Sequence, residues 1–249
     1  MRSASVTSFL PAVVAAAGLT IASSAFSPVN AYSVTVTGQK AANAAGDLVD
    51  VSLAGYDKGK TLDPVKWLVP ANGTNPGVAL TASASIKLQD FTSNLLSLAI
   101  TLSNTTAVGF ESAILGLGLG VDPDATGATV NGTLFNDVKV DPNGSFPGGF
   151  KNVDICVYAA NNCSGGDITK GLKSGISETF LLNISGNFGA APAVTLSNFA
   201  LKFQTQDGSY QAAGVPEPIT VVGSGLALGF GALFKREISK KRNKAKVKA

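Results

Sequence analysis

Ala84-Ser85-Ile86-Lys87-Leu88-Gln89 and, a few residues later, Leu96-Ser97-Leu98-Ala99-Ile100-Thr101-Leu102 decide the fold class. In the first stretch apolar residues alternate with Ser, Lys and Gln. In the second, Leu96, Leu98, Ile100 and Leu102 line one face. Side chains on a strand alternate between two faces, whereas a helix repeats every 3.6 residues. Both stretches therefore predict strands with one face buried.

The same period of two extends outward. Phe180, Leu182 and Ile184 alternate with Thr179, Leu181 and Asn183. Val194 and Leu196 keep one phase, and Phe199, Leu201 and Phe203 keep the other. The slip at Ser197-Asn198 predicts a β-bulge or short bend. Further strands are expected at Tyr32–Val36, Leu48–Leu53, Lys66–Val69, Glu111–Val121, Ala128–Val140 and Val153–Ala160. Within Ile114–Val121, Gly116, Gly118 and Gly120 alternate with Leu115, Leu117, Leu119 and Val121. That pattern suits a buried strand with a close neighbour on its glycine face.

Turn signals separate these runs: Asn72-Gly73, Asp122-Pro123, Asn131-Gly132, Asp141-Pro142-Asn143-Gly144, Pro147-Gly148-Gly149 and Gly165-Gly166. About ten strands with this punctuation predict an all-β domain, an antiparallel β-sandwich or jelly roll. An up-and-down barrel is the second choice.

Both ends of the chain carry address signals. Arg2 precedes an uncharged apolar run, Phe9 to Ala22, and then small residues to Ala31. This is the pattern of a secretory signal peptide, 1–31, with the cut after Ala31. Ser23-Ser24-Ala25 is the competing site. At the other end, Val215-Pro216-Glu217-Pro218 precedes sixteen uncharged residues, Ile219–Phe234. As a helix these span roughly 24 Å, at about 1.5 Å per residue. A bilayer core of about 30 Å can accept that with thinning and snorkelling. The tail 235–249 then holds eight basic residues, among them Lys235, Arg236, Lys240, Lys241 and Arg242, against one acid, Glu237. This is a membrane stop signal that keeps the C-terminus on the cytoplasmic side.

The ordered set Pro216-Glu217-Pro218, Thr220, Ala227–Arg236 and Ser239-Lys240-Lys241 resembles the PEP-CTERM sorting signal of exported bacterial proteins, in its cyanobacterial form. The resemblance covers about 35 of the 249 residues. It implies recognition of Val215, Pro216, Glu217 and Pro218 by an exosortase-type processing enzyme. It also implies transient membrane anchoring, then transfer to the cell surface or extracellular matrix. An ordinary tail anchor is the alternative, and Gly225-x-x-x-Gly229 also fits a helix-dimer motif. The stretch Cys156–Gly166 resembles the cistern subfamily of these proteins, which implies no assigned activity. The expected organisation is a signal peptide 1–31, a β-sandwich domain 32–209, a linker with the Pro-Glu-Pro motif 210–218, a transmembrane helix 219–234 and a basic cytoplasmic tail 235–249.

Charge follows the same division. The whole chain has a net charge of +3, but residues 32–215 hold ten lysines and fourteen acids, a net of −4. Phosphate binding needs a basic face, so nucleic acid is excluded as an expected partner of the body. The chain has no histidine, which removes a Ser-His-Asp triad, a Cys-His pair and imidazole metal sites. No phosphate-binding glycine motif opens a helix after a strand. No cofactor and no metal site is expected.

The only two cysteines, Cys156 and Cys163, close a loop of eight residues. In an oxidising compartment this predicts a disulfide, with a redox pair as the alternative. Asp122-Pro123-Asp124 and Asp141-Pro142-Asn143 gather oxygens that suit Ca²⁺, though Asp and Asn also serve as turn formers. Glu111 and Glu178 are the only glutamates of the body, and nothing in the sequence brings them together. Trp67 lies in a strand-like run and is expected in the core, with sugar stacking as its alternative. Five Asn-x-Ser/Thr sequons start at Asn72, Asn104, Asn131, Asn143 and Asn183. The expected function is a non-enzymatic structural or adhesive one. A carbohydrate-binding module for extracellular polysaccharide, with or without Ca²⁺, is the alternative.

Overall fold

A computed structural model describes residues 33–37, 44–73, 76–159 and 162–216. The expected signal peptide with Ala31, the residues Glu217 and Pro218, the membrane helix 219–234 and the basic tail 235–249 lie outside the described residues. Among the described residues no helix is long and apolar enough to cross a membrane.

The described chain forms sixteen strands and two short 3₁₀ turns. In order they are β1 (Ser33–Val36), β2 (Val49–Ala54), β3 (Thr61–Val69), β4 (Leu80–Phe91), β5 (Leu95–Asn104), β6 (Ser112–Asp122), β7 (Ala125–Asn131) and β8 (Asp137–Val140). The second half holds β9 (Ser145–Phe146), β10 (Phe150–Lys151), β11 (Ile155–Tyr158), β12 (Leu172–Lys173), β13 (Ser177–Gly186), β14 (Ala193–Thr205), β15 (Ser209–Ala213) and β16 (Val215–Pro216). One sheet runs β16-β3-β4-β5-β13-β7. The other runs β1-β2-β14-β6-β11-β8, with β12 beside β6 and β15 beside β14. The ladders between named strands are antiparallel. The fold is all-β, as the period of two predicts.

The two sheets share one core. Leu88, Leu98, Ile100, Phe180 and Leu182 from the six-stranded sheet pack in one buried cluster with Val51, Leu117, Leu119, Leu201 and Phe203 from the eight-stranded sheet. This is the arrangement of a β-sandwich. Leu88 sits opposite Leu98, and Ile86 opposite Ile100, so the two deciding stretches form adjacent strands. Ser85 and Lys87 point outward and are exposed. The phase slip in β14 is a bulge: its register with β6 shifts between Ser197 and Ala200, and Asn198 adopts φ 50°.

The glycine face of β6 has the neighbour that the sequence requires. All residues from Ser112 to Val121 are buried. A Cβ on Gly118 would lie 2.9 Å from both Phe146 and Val153. One on Gly120 would lie 2.3 Å from Ser197 Oγ and 2.5 Å from the Asn152 carbonyl. Residues 141–153, which include the β9–β10 hairpin, form a cap over this outer face. Phe146, Phe150 and Val153 pack there with Cys156, Ala200 and Ala213 as a second apolar cluster. Cys156 and Cys163 are joined as a disulfide with their Cα atoms 6.2 Å apart.

Two expectations are corrected. Ala128–Val140 is not one strand. It is β7 in the six-stranded sheet and β8 in the other, separated where the chain crosses at Gly132–Phe135. Gly132 has no room for a Cβ beside the Phe135 carbonyl and Phe180. Glu178 then accepts from the backbone N–H groups of Thr133 and Leu134, at 2.5 and 2.8 Å. The expected linker 210–218 is also ordered as far as Pro216. Residues 209–213 are β15, paired with β14, and Val215–Pro216 is β16, paired with β3. The body thus extends past 209 to residue 216, because Ala212, Ala213, Gly214 and Pro216 have buried positions to fill.

Candidate functional site

One open groove of about 570 Å³ lies at an end of the eight-stranded sheet. Three separate elements build it: β2, the β6–β7 turn and the start of the cap, with the β14 bulge closing one side. Its polar lining includes Asp50, Asp122, Asp124, Asn143, Asn152 and Asn198. Asp122 and Asp124 flank the cis-linked Pro123 and are exposed.

The groove is held by a buried carboxylate. Asp154, only 4% exposed, accepts from the Val121 N–H at 2.6 Å and from the Asn143 N–H at 2.8 Å. It ties the end of β6 to the cap. Asn198 Nδ2 donates to the carbonyls of Lys151 and Asn152, each at 3.1 Å. Three of the groove's asparagines, Asn143, Asn152 and Asn198, have positive φ. Asn tolerates that region better than other side chains. Burial pushes the Asp50 carboxyl above its ordinary value. The result is a hydroxyl-compatible surface of amides and carboxylates with no exposed ring: its one aromatic lining residue, Phe150, is 1% exposed.

The loops Asp122–Asp124 and Asp141–Asn143 meet at this groove only in part. Asp122, Asp124 and Asn143 line it, while Asp141 turns to an ion pair with Lys139 at 2.8 Å. Among the described residues no group of three or more His, Cys, Asp or Glu is placed to hold a metal ion. Glu111 and Glu178 serve separate local contacts, Glu111 with Gln206 and Glu178 with the Thr133–Leu134 backbone.

Trp67 is in the core at 1% exposure, and its indole N–H donates to the Phe199 carbonyl at 2.8 Å. Asn104 is also buried. Its Nδ2 donates to the Leu172 carbonyl at 2.9 Å, so this sequon is a strand tie and not an exposed glycan acceptor. Lys202 was not singled out by sequence. It is 3% exposed and donates to the carbonyls of Ser164 and Gly165, just after the disulfide loop. Burial without a carboxylate partner lowers its ammonium pKa. Asp154 was missed too, although a charge inside the apolar run Val153–Val157 is itself a signal.

Val215 and Pro216 lie at a sheet edge. Val215 lies opposite Lys66 and Pro216 opposite Val65, on the outermost position of the six-stranded sheet. Pro216 is buried, and Val215 is half-buried. No family model matches the chain, and no match is found among curated proteins or solved structures.

Proposed function

We propose that the chain is an exported surface or extracellular-matrix protein with a structural or adhesive role and no enzymatic one. In this reading residues 1–31 direct export, and residues 219–249 hold the precursor in the membrane. An exosortase-type enzyme then acts at Val215-Pro216-Glu217-Pro218. The observation that carries the reading is the order of three independent features at the C-terminus: Pro-Glu-Pro, a short apolar run and a strongly basic tail.

Two structural facts support it. The cysteines are paired in a disulfide, which persists in oxidising compartments and is rare in a reducing cytosol. Val215 and Pro216, the first two residues of the recognition motif, form the last described strand, at the edge of the six-stranded sheet. The test is Glu217→Ala with Pro218→Ala in a host that carries the processing enzyme. Both positions lie beyond β16. The parent is expected to lose about 30 residues and leave the membrane fraction. The double variant is expected to stay full length and membrane-bound. If both stay intact, the tail is an ordinary single-span anchor.

A second reading, a carbohydrate-binding module for extracellular polysaccharide, is favoured by the polar groove. Carboxylate and amide groups there are spaced over an open cleft and suit sugar hydroxyls. A glycan array on residues 32–216, with and without Ca²⁺, tests it. Binding that is lost in Asp124→Ala and Asn152→Ala would favour this reading. A blank array would remove it.

A further inference from the structure

We propose that β7 is a docking edge for a second copy of this chain. Two copies pair β7 to β7, antiparallel about a two-fold axis, and join their six-stranded sheets into one. The contact is independent of the sorting reading and of how the chain is processed.

The two large sheets have four edges. Three are blunted. β1 is four residues long. β8 is also four residues long, and two of them, Asp137 and Lys139, are exposed charges. The β16 edge is two residues long and closes on Pro216, which has no N–H to give to a ladder. Beside it β3 carries Pro64 and Lys66, both exposed. β7 is different. Its seven residues, Ala125 to Asn131, hold no charge and no proline. Its one ladder among the described residues is with β13. No other backbone hydrogen bond among the described residues reaches it. One row of N–H and C=O groups therefore points away from the sheet. An open, uncharged edge of this length is a template for another strand.

The surroundings suit a copy of the same strand. β7 ends one sheet and β8 ends the other, so the two form one side of the sandwich. Ala128, Val130, Val138 and Val140 on that side are half-buried and pack on the core, which leaves apolar area for a partner to cover. The direction of the strand sets the pairing. Asp122 and Asp124 lie just before β7 and are exposed. Antiparallel pairing over the seven residues places the acids of two copies at opposite ends, roughly 24 Å apart at about 3.4 Å per residue. That exceeds the screening length of about 8 Å. Parallel pairing would set them side by side, in bodies that each already carry a net −4. The two-fold pair uses up both β7 edges, and the blunted edges offer no way to grow, so the assembly closes at two.

The full chain, purified in detergent, tests this by sedimentation from about 1 to 300 μM, the range of a weak specific contact. The parent is expected to pass from one copy to two. Thr126→Lys with Thr129→Lys charges the edge at two exposed positions and is expected to weaken the pair roughly tenfold or more. Ser85→Lys with Gln89→Lys adds the same charge at exposed positions of β4, a central strand of the same sheet, and is expected to leave the pair unchanged. Hydrogen exchange of the parent needs no variant: β7 amides should slow as concentration rises, while those of β8 and β16 should not. A parent that stays a single copy, or whose β7 exchange ignores concentration, overturns the proposal. So does a pair that persists in the β7 variant, or one lost equally in the β4 variant. Growth beyond two copies overturns the closed pair.

Discussion

β5 and β6 are both central strands, of ten and eleven residues, yet they present opposite problems. β5 buries Leu96, Leu98, Ile100 and Leu102 and leaves Thr101 and Ser103 half-exposed on its outer face. There Thr101 and Thr179 hydrogen-bond across strands at 2.8 Å. β6 buries both faces: Leu117, Leu119 and Val121 toward the sandwich core, Gly118 and Gly120 toward the cap. A sheet with one wet face reads as alternation. A sheet covered on both faces must leave room for what covers it, and here the room is made by removing side chains. The six-stranded sheet is a finished surface. The eight-stranded sheet is the floor of a third layer, and both the disulfide and the groove belong to that layer.

The largest break in this contrast is expected at Gly120. Gly120→Val places atoms on Ser197 and the Asn152 carbonyl, and it should cost about 3 kcal/mol or more, as overpacking of a filled site does. Its control lies in the other sheet. Gly127→Ala in β7 meets nothing nearer than Ser185 Cβ at 3.8 Å, so it should stay within about 0.5 kcal/mol. Urea denaturation of residues 32–216 compares the two. Equal effects would refute the filled glycine face.

Removing the disulfide comes next. Cys156→Ala with Cys163→Ala should cost about 2.5 kcal/mol on the chain-entropy view of an eight-residue loop. The loss should appear in the cap and in the disulfide loop. Hydrogen exchange should quicken at residues 141–166 while β4 and β5 keep their protection. Uniform loosening of both sheets would contradict a separate layer.

Trp67→Phe sharpens the link between the sheets. It removes the indole N–H from the Phe199 carbonyl, which keeps its bond from Gly214, and leaves a small cavity. About 2 kcal/mol of destabilisation is expected in a thermal or chemical melt. The smallest effect belongs to the groove. Burial raises the folded-state pKa of Asp50 above its ordinary 3.8. The folded state therefore favours the protonated acid. The relative stability this gives is full below the unfolded value and is lost as pH rises through the folded one. Asp50→Asn should stabilise slightly at pH 7, and that gain should vanish as the pH falls toward 3.8. A variant whose advantage grows in acid would reverse the sign.

The fold was legible where one face of a strand meets water. Ala84–Leu102 and Phe180–Ile184 announce their strands by alternation, and the slip at Ser197-Asn198 marks a real bulge. The glycine alternation of Ile114–Val121 announced a close neighbour but not which one. That neighbour comes from Phe146 and Val153, and their packing depends on how the chain returns over the sheet. Ala128–Val140 was misread as one strand because its two halves are both strand-like, although the turn signal Asn131-Gly132 stands where β7 ends and the crossing begins. Tyr210–Gly214 reads as a linker because its residues are small. They are small because they pack under other elements, as Gly214 does against Trp67. The groove was half-visible: the Asp-Pro loops and the bulge were marked, whereas their convergence through Asp154 depends on tertiary contact.

The most direct test of the account is the intact, non-reduced mass of the protein recovered from cells that carry the processing enzyme. The expected chain begins at Tyr32, ends between Pro216 and Pro218, and is two hydrogens lighter than its reduced form through the Cys156–Cys163 bond. A chain that retains residues 219–249 and carries two free thiols would contradict it.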